Sequence, residues 1–284
     1  MQELVQNISN YARSFKKDFI IIPQNGVELA FKDADPFNGL NYDYLGAVDG
    51  FGVEELFYNG NYMPDFERID MLQNLKGLKK ILVSEYVSDS QFIADALVKN
   101  QEKGFVCFPR EGNNYNYEYI PGFIPKENAD DITQLAQVKN YLYLISSGQY
   151  SSKAEMIQDI SSTNFDLILT DLYFNGEQLS KEEIEQLKTK ANGAKRLVIS
   201  YISIGSAESF RYYWKSNWSL HHPTWIKKAY SGYPDEYWVK FWKSEWQEIL
   251  YGNDNSYLKK ILDAGFDGAY LDNVEAYYFL YFNE

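Results

Sequence analysis

Short apolar runs, the mark of strands buried on both faces, alternate along this chain with segments whose apolar positions recur at helical spacing. Leu4, Ile8, Tyr11 and Ala12 make Gln2 to Phe15 a helix. Strand candidates follow at Asp18 to Gln24, Leu45 to Tyr58, Lys80 to Val87, Gly104 to Pro109, Asn140 to Ser146, Phe165 to Tyr173, Arg196 to Ile204, Tyr237 to Trp242 and Gly268 to Leu271; the glycines of the second suggest a strand running into a tight loop that carries Glu54 and Glu55. Between them, helical patterns span Ser90 to Lys103, Ser152 to Ser161 and Ser256 to Asp263. Another opens with the Ser180 to Glu183 capping box and runs to near Gly193. Gly265 reads as a helix stop that accepts a left-handed backbone. Alternating strands and helices call for a parallel sheet with crossover helices. The predicted fold class is α/β, a (β/α)8 TIM-like barrel formed by residues 1–284 as one domain. Nine strand candidates stand where a closed barrel needs eight, so the run at Gly104 or the Trp-rich run is the one to drop. Glu111 to Pro125 has turn residues and no period, which makes it the best linker in the chain.

The composition narrows the chemistry. With 284 residues and 45% hydrophobic content, the chain can build a full-sized core. A formal charge of −13 works against phosphate-backbone binding and favours neutral or cationic ligands, so no nucleic-acid partner is expected. Cys107 is the sole cysteine, which excludes an internal disulfide and a multi-cysteine metal site. His221 and His222 are the only histidines; they lie beside a proline in a loop and read as exposed and inert. No G-x-G-x-x-G opens a helix after a strand and no G-K-[ST] phosphate loop occurs, so no nucleotide cofactor is implied. No apolar run reaches membrane-span length, and the first residues form an amphipathic helix pattern rather than a signal peptide. The aromatic share of 17% would suit a core and also sugar platforms beside a polar cleft. Trp214, Trp218, Trp225, Trp238, Trp242 and Trp246 crowd into one stretch, where packing is the plain reading and sugar stacking the functional one.

Acidic residues follow strand candidates repeatedly: Glu54, Glu85, Asp171, Glu208 and Asp272. In a barrel the C-terminal ends of all strands share one face, so these five would converge on an acidic mouth, with Arg110, Arg211 and Lys240 as partners. Each could instead cap the helix that follows it. Two carboxylates flanking a glycosidic bond are the usual equipment for sugar hydrolysis. The scarcity of His and Cys argues against Ser-His and Cys-His triads and against zinc.

The runs Tyr201 to Trp214 (Y-I-S-I-G-S-A-E-S-F-R-Y-Y-W), Tyr237 to Trp242 (Y-W-V-K-F-W) and Gly265 to Tyr277 (G-F-D-G-A-Y-L-D-N-V-E-A-Y) resemble the endo-α-1,4-polygalactosaminidase-like glycoside hydrolases, formerly described as cysteinyl-tRNA-synthetase-related. So do I-I-P-Q-N-G, V-D-G-F-G-V-E-E-L-F-Y and F-P-R-E. In that family the P-Q-N-G and G-V-E-E segments come after the L-D-N strand; here they come first. The order is that of a circular permutant, with residues 111–139 joining the old ends and the chain's tail and head meeting in space. The resemblance implies a glycosidase acting on an amino-sugar polysaccharide, using Asp272 of L-D-N and Glu54 of G-V-E-E, or Glu55 if the register slips by one. Asp171, Glu208, Arg211, Glu85, Tyr201, Lys240, Trp242, Asn25 and Arg110 are the implied substrate contacts, with no metal and no cofactor. It implies a secreted or cell-surface setting. The alternatives are a catalytically idle glycan-binding barrel and, more remotely, a hydrolase holding a divalent ion on Asp171 and Asp272. Synthetase chemistry has neither a cysteine-rich zinc site nor an H-I-G-H-type motif to rest on.

Overall fold

A computed structural model of the protein describes residues 1–281. Among the described residues, eight strands run parallel: β1 (Ile20–Pro23), β2 (Gly50–Tyr62), β3 (Lys80–Val87), β4 (Val106–Glu111), β5 (Leu142–Leu144), β6 (Leu167–Asp171), β7 (Leu197–Ser203) and β8 (Gly268–Asp272). Hydrogen bonds order five of them β1-β8-β7-β6-β5 and three of them β2-β3-β4. A parallel bridge from Gln24 to Gly52 links the two groups at β1 and β2. Apart from β1 and β8, the first strand and the last, neighbours in space are neighbours in sequence, and the ladder is open between β4 and β5. The protein is α/β with a five-stranded parallel sheet at its centre.

Local chemistry explains the element ends. Ser152 caps the helix Lys153–Ser161 by accepting from Glu155 N, and Ser180 with Glu183 forms the capping box of Lys181–Leu187. Gly265, at φ +89°, closes Tyr257–Ala264 by donating to the Ile261 and Leu262 carbonyls. That turn sets up β8 one step later. Helices Phe66–Leu75 and Ile93–Lys103 cross from β2 to β3 and from β3 to β4. Between β4 and β5 there is no α-helix among the described residues, only the short 3₁₀ turns Gly112–Asn114 and Leu135–Gln137. This connection is nonetheless anchored. The buried Lys190 ammonium donates to Asp130 O at 2.9 Å and pairs with Asp166 at 2.7 Å.

Two expectations are corrected. The stretch Leu45 to Tyr58 is not one strand: Tyr42–Ala47 is helical, capped by Asn41, and Glu54 lies inside β2 rather than in a loop. The helix opened by Ser180 ends at Leu187, well before Gly193. The Trp-rich run is the surplus candidate. Its strand Glu236–Val239 pairs antiparallel with Ser206–Glu208 and Ile226–Ala229 in a separate small sheet.

The interior beneath the strand ends is packed with tyrosines. Tyr117 stacks on Tyr143 with ring centroids 3.7 Å apart, and Tyr143 meets the edge of Tyr270 at 5.6 Å. Gly52 is needed because the Tyr270 ring occupies the space a Cβ would take. Among the described residues no helix is long and apolar enough to cross a membrane.

Candidate active site

A cavity of about 610 Å³ opens at the C-terminal ends of the parallel strands. Seven of the eight strands feed it, through Asn25 after β1, Glu54 and Glu55 on β2, Arg110 on β4, Tyr143 on β5, Asp171 on β6, Tyr201 on β7 and Asp272 on β8. Asn25, Glu55 and Asn273 hold φ near +57°, +54° and +60°, a conformation side-chain-bearing residues seldom adopt. Backbone outliers of this kind cluster at active sites and ligand clamps in proteins generally.

Asp272 ends β8 as the chain leaves the sheet. Its Oδ2 accepts from Tyr201 Oη at 2.6 Å and its Oδ1 from Asn273 N at 2.7 Å. It caps no helix: Glu275 holds that position for Ala276–Phe279. Burial, and then the facing Glu54 charge, pushes its pKa up to about 7, while the Tyr201 bond pulls the other way. Glu54 accepts a hydrogen bond from Tyr117 Oη and stands 3.6 Å from Arg110 Nη2. Its main chain is fixed too: Glu54 N donates to Asn25 Oδ1 at 3.2 Å, and Arg68 donates to the Glu54 and Glu55 carbonyls, both at 3.0 Å. Glu55 is the partner Arg110 holds closest, at 3.0 Å, and burial pushes its pKa above the ordinary carboxylate value against that guanidinium.

Arg211 joins two further carboxylates. It donates to both Asp171 oxygens at 2.8 and 2.7 Å, and to both Glu208 oxygens at 2.7 and 3.1 Å. With both oxygens so engaged, Asp171 is poorly placed to share a divalent ion with Asp272. Among the described residues no group of three or more His, Cys, Asp and Glu is arranged to hold a metal.

Glu236 and Glu275 also line the cleft, and neither stood out in the sequence. Glu236 lies directly opposite Glu208 in the antiparallel ladder, a like-charge pairing that costs stability unless one partner stays neutral. Burial first, then the Glu208 charge, pushes its pKa up to about 8, against the Ser206 hydroxyl that donates to it. Glu275 is pushed up to about 7 by burial and then by Glu28, with Arg68 opposing. The only sequence signal for Glu236 was its place heading the Y-W-V-K-F-W run, which draws the eye to the rings instead. Tyr117, Tyr115 and Tyr233 were likewise missed because they sit in segments without a period.

The cavity thus brings together Asp272, Glu54, Asp171, Glu208, Arg211, Tyr201, Asn25 and Arg110. Glu85, Lys240 and Trp242 lie outside its lining. On β3 the Ser84 side chain bonds toward Arg110 and Tyr117, so strand alternation turns Glu85 to the opposite face. There, fully buried, Glu85 accepts from Phe57 N, Tyr58 N and Asn100 Nδ2. It serves the backbone of β2, whose register shifts between Glu54 and Asn59. Lys240 and Trp242 follow the antiparallel strand out of the cleft; Trp242 is exposed and stacks on Tyr281. No tryptophan lines the cavity among the described residues. The exposed rings at its rim are Tyr115, Phe210 and Tyr233. Both histidines are exposed.

A stretch of 153 residues is 36% identical to the uncharacterized protein MJ1477 of Methanocaldococcus jannaschii. A stretch of 119 residues is 34% identical to an uncharacterized protein of Thermotoga maritima. These matches span 53% and 42% of this chain but only 41% and 35% of the relatives' own length. The model of the glycoside-hydrolase family GH114 matches residues 128–284, more than half of the chain and including Asp272. The chain belongs to the glycoside-hydrolase family GH114, the endo-α-1,4-polygalactosaminidase-like glycoside hydrolases.

Proposed function

We propose that the protein hydrolyses an amino-sugar polysaccharide of the α-1,4-galactosamine type, with Asp272 and Glu54 as the two working carboxylates. The observation that carries this reading is their convergence. Strands β8 and β2 flank β1, and the side chains at their ends front one cavity closely enough for the Glu54 charge to push the Asp272 pKa up. With its pKa pushed up to about 7 by burial and then by the Glu54 charge, Asp272 keeps a proton over part of the neutral range. A protonated acid and an ionised partner are the pair that glycoside cleavage needs. The substrate class is supported by charge. The cavity lining includes nine acidic residues, and its two arginines are already engaged with four of them, so a cationic sugar is favoured electrostatically. Tyr115, Phe210 and Tyr233 would offer apolar faces to the sugar rings.

The same reading takes residues 1–284 as one TIM-like barrel in circularly permuted order. It is supported by eight parallel strands in sequence order, by the family match beginning at residue 128 inside the connection 111–139, and by the chain's two ends. Gln2 Nε2 donates to Leu29 O at 2.8 Å, and Tyr277 donates to Glu28, so head and tail grip one turn. The last residues of the tail, Phe282 to Glu284, lie outside the described residues.

The test is release of reducing ends from acetylated and de-N-acetylated galactosamine and glucosamine polymers. The wild type is expected to act best on the de-N-acetylated galactosamine polymer, with Asp272→Asn and Glu54→Gln each slower by about 10³-fold. Equal release by all three proteins would remove the assignment. Retention of the polymer without any release would point to an idle glycan-binding barrel.

A further inference from the structure

The connection between β4 and β5 supplies part of the cleft wall, through Tyr115, Asn116, Tyr117 and Glu118. These residues precede the stretch matched by the family model. Tyr117 is the deepest of them. It is 6% exposed, stacked on Tyr143 and overlaid by the Arg110 guanidinium at 4.6 Å from its ring. Its φ of +58° is one a tyrosine seldom adopts, so surrounding bonds must impose it. They do: Ile145 N and Ser146 N both donate to Tyr117 O, at 3.2 and 3.3 Å, and Tyr117 N donates to Asn114 O at 3.1 Å.

The phenol has a single proton and two neighbours. It donates to Glu54, and Ser84 Oγ lies 3.0 Å away. With the phenolic proton committed to the carboxylate, Ser84 must give its own proton to Tyr117. Ser84 in turn accepts from Arg110 Nε at 3.3 Å. The result is a directed chain of hydrogen bonds, Arg110 to Ser84 to Tyr117 to Glu54, inside the protein. A guanidinium does not release its proton, so the chain polarises rather than conducts, each donor strengthening the next.

We propose that Tyr117 is a positioning residue for Glu54: through it, the Arg110–Ser84 pair fixes the orientation of the Glu54 carboxyl toward the cleft and stabilises its negative charge. This rests on Glu54 being a working carboxylate, and the test separates the two ideas. Carboxyl carbon-13 titrations of the full chain, assigned with Glu54→Gln and Asp272→Asn, are compared between wild type and Tyr117→Phe, which removes one oxygen and keeps the ring. The midpoints of the Glu54–Asp272 pair should move by roughly half a pH unit or more. In the reducing-end assay kcat should fall about 10–100-fold with KM within about twofold, the pH profile moving with the titration. Ser84→Ala, which cuts the chain one link earlier, should shift both in the same direction by less, and it carries the titration if Tyr117→Phe does not fold. Unmoved midpoints in a folded Tyr117→Phe or Ser84→Ala protein overturn the proposal. If the wild type cleaves no polymer but the midpoints still move, the hydrolase reading fails and the positioning chain stands.

Discussion

Arg211 shows how one side chain can hold a wall of the cleft in place. It is 8% exposed and lies between two equally enclosed acids, Asp171 at 8% and Glu208 at 6%. Removing it does not simply delete two ion pairs. It leaves two carboxylates facing each other without a counter-charge, and that is where the cost arises. Arg211→Met should therefore destabilise the protein by about 3–5 kcal/mol at pH 7, read as a lower urea midpoint with an unchanged slope. The loss should shrink near pH 4, where protonation removes the repulsion. A loss of equal size at both pH values would mean that packing, and not charge, accounts for it. These three residues were legible in the sequence because each follows a strand pattern. Glu236 was not, because its role comes from the Glu208 opposite it in an antiparallel ladder, and cross-strand register is not written in either segment alone.

At the level of elements, the end of β7 and the end of β8 must come unusually close. Ile204 N donates to Asp272 O at 3.0 Å, and Gly205 follows with its Cα against the Asn273 carbonyl. A side chain at Gly205 would overlap that carbonyl and the Ala276 methyl, and a backbone oxygen cannot swing aside. Gly205→Ala should thus displace the Asp272–Asn273 turn, lowering the melting temperature by roughly 5–10 °C and activity by more than about tenfold. A variant with wild-type melting and turnover would show that the two strand ends have slack. Strand positions and helix caps could be read from local pattern: β3 and the Ser180 box fall where the apolar run and the capping residues put them. The face of a strand residue was harder. Glu85 looked like a cleft acid because it ends a buried run, yet it serves the amides of a bulge in β2 that no periodicity announces. The Trp-rich run has strand composition, but its antiparallel pairing is decided by two other segments, Ser206–Glu208 and Ile226–Ala229.

At the scale of the whole molecule, the crowding of acids makes stability depend on pH in an unusual sense. Asp272 and Glu275 titrate near 7 and Glu236 near 8 in the folded state, each well above the ordinary range of about 4 for an unfolded carboxyl. Between about pH 4 and pH 8 the folded protein therefore holds more protons than the unfolded chain. The sign follows from linkage: stability falls with rising pH wherever the native state binds the extra protons. The contribution of these groups is complete below about pH 4 and is lost as pH rises through 7 and 8. Burial is the leading cause for all three, so salt should flatten the dependence only in part. The melting temperature is expected to be higher at pH 5.5 than at pH 8.5, by roughly 5 °C or more. Glu236→Gln supplies permanently the neutral partner that Glu208 requires across the ladder, so it should raise the melting temperature at pH 8.5 and leave it nearly unchanged at pH 5.5. A melting temperature that climbs from pH 5.5 to 8.5 in the wild type would mean that these carboxyls are already ionised without penalty. The electrostatic case for a proton held within the cleft would then be lost together with it.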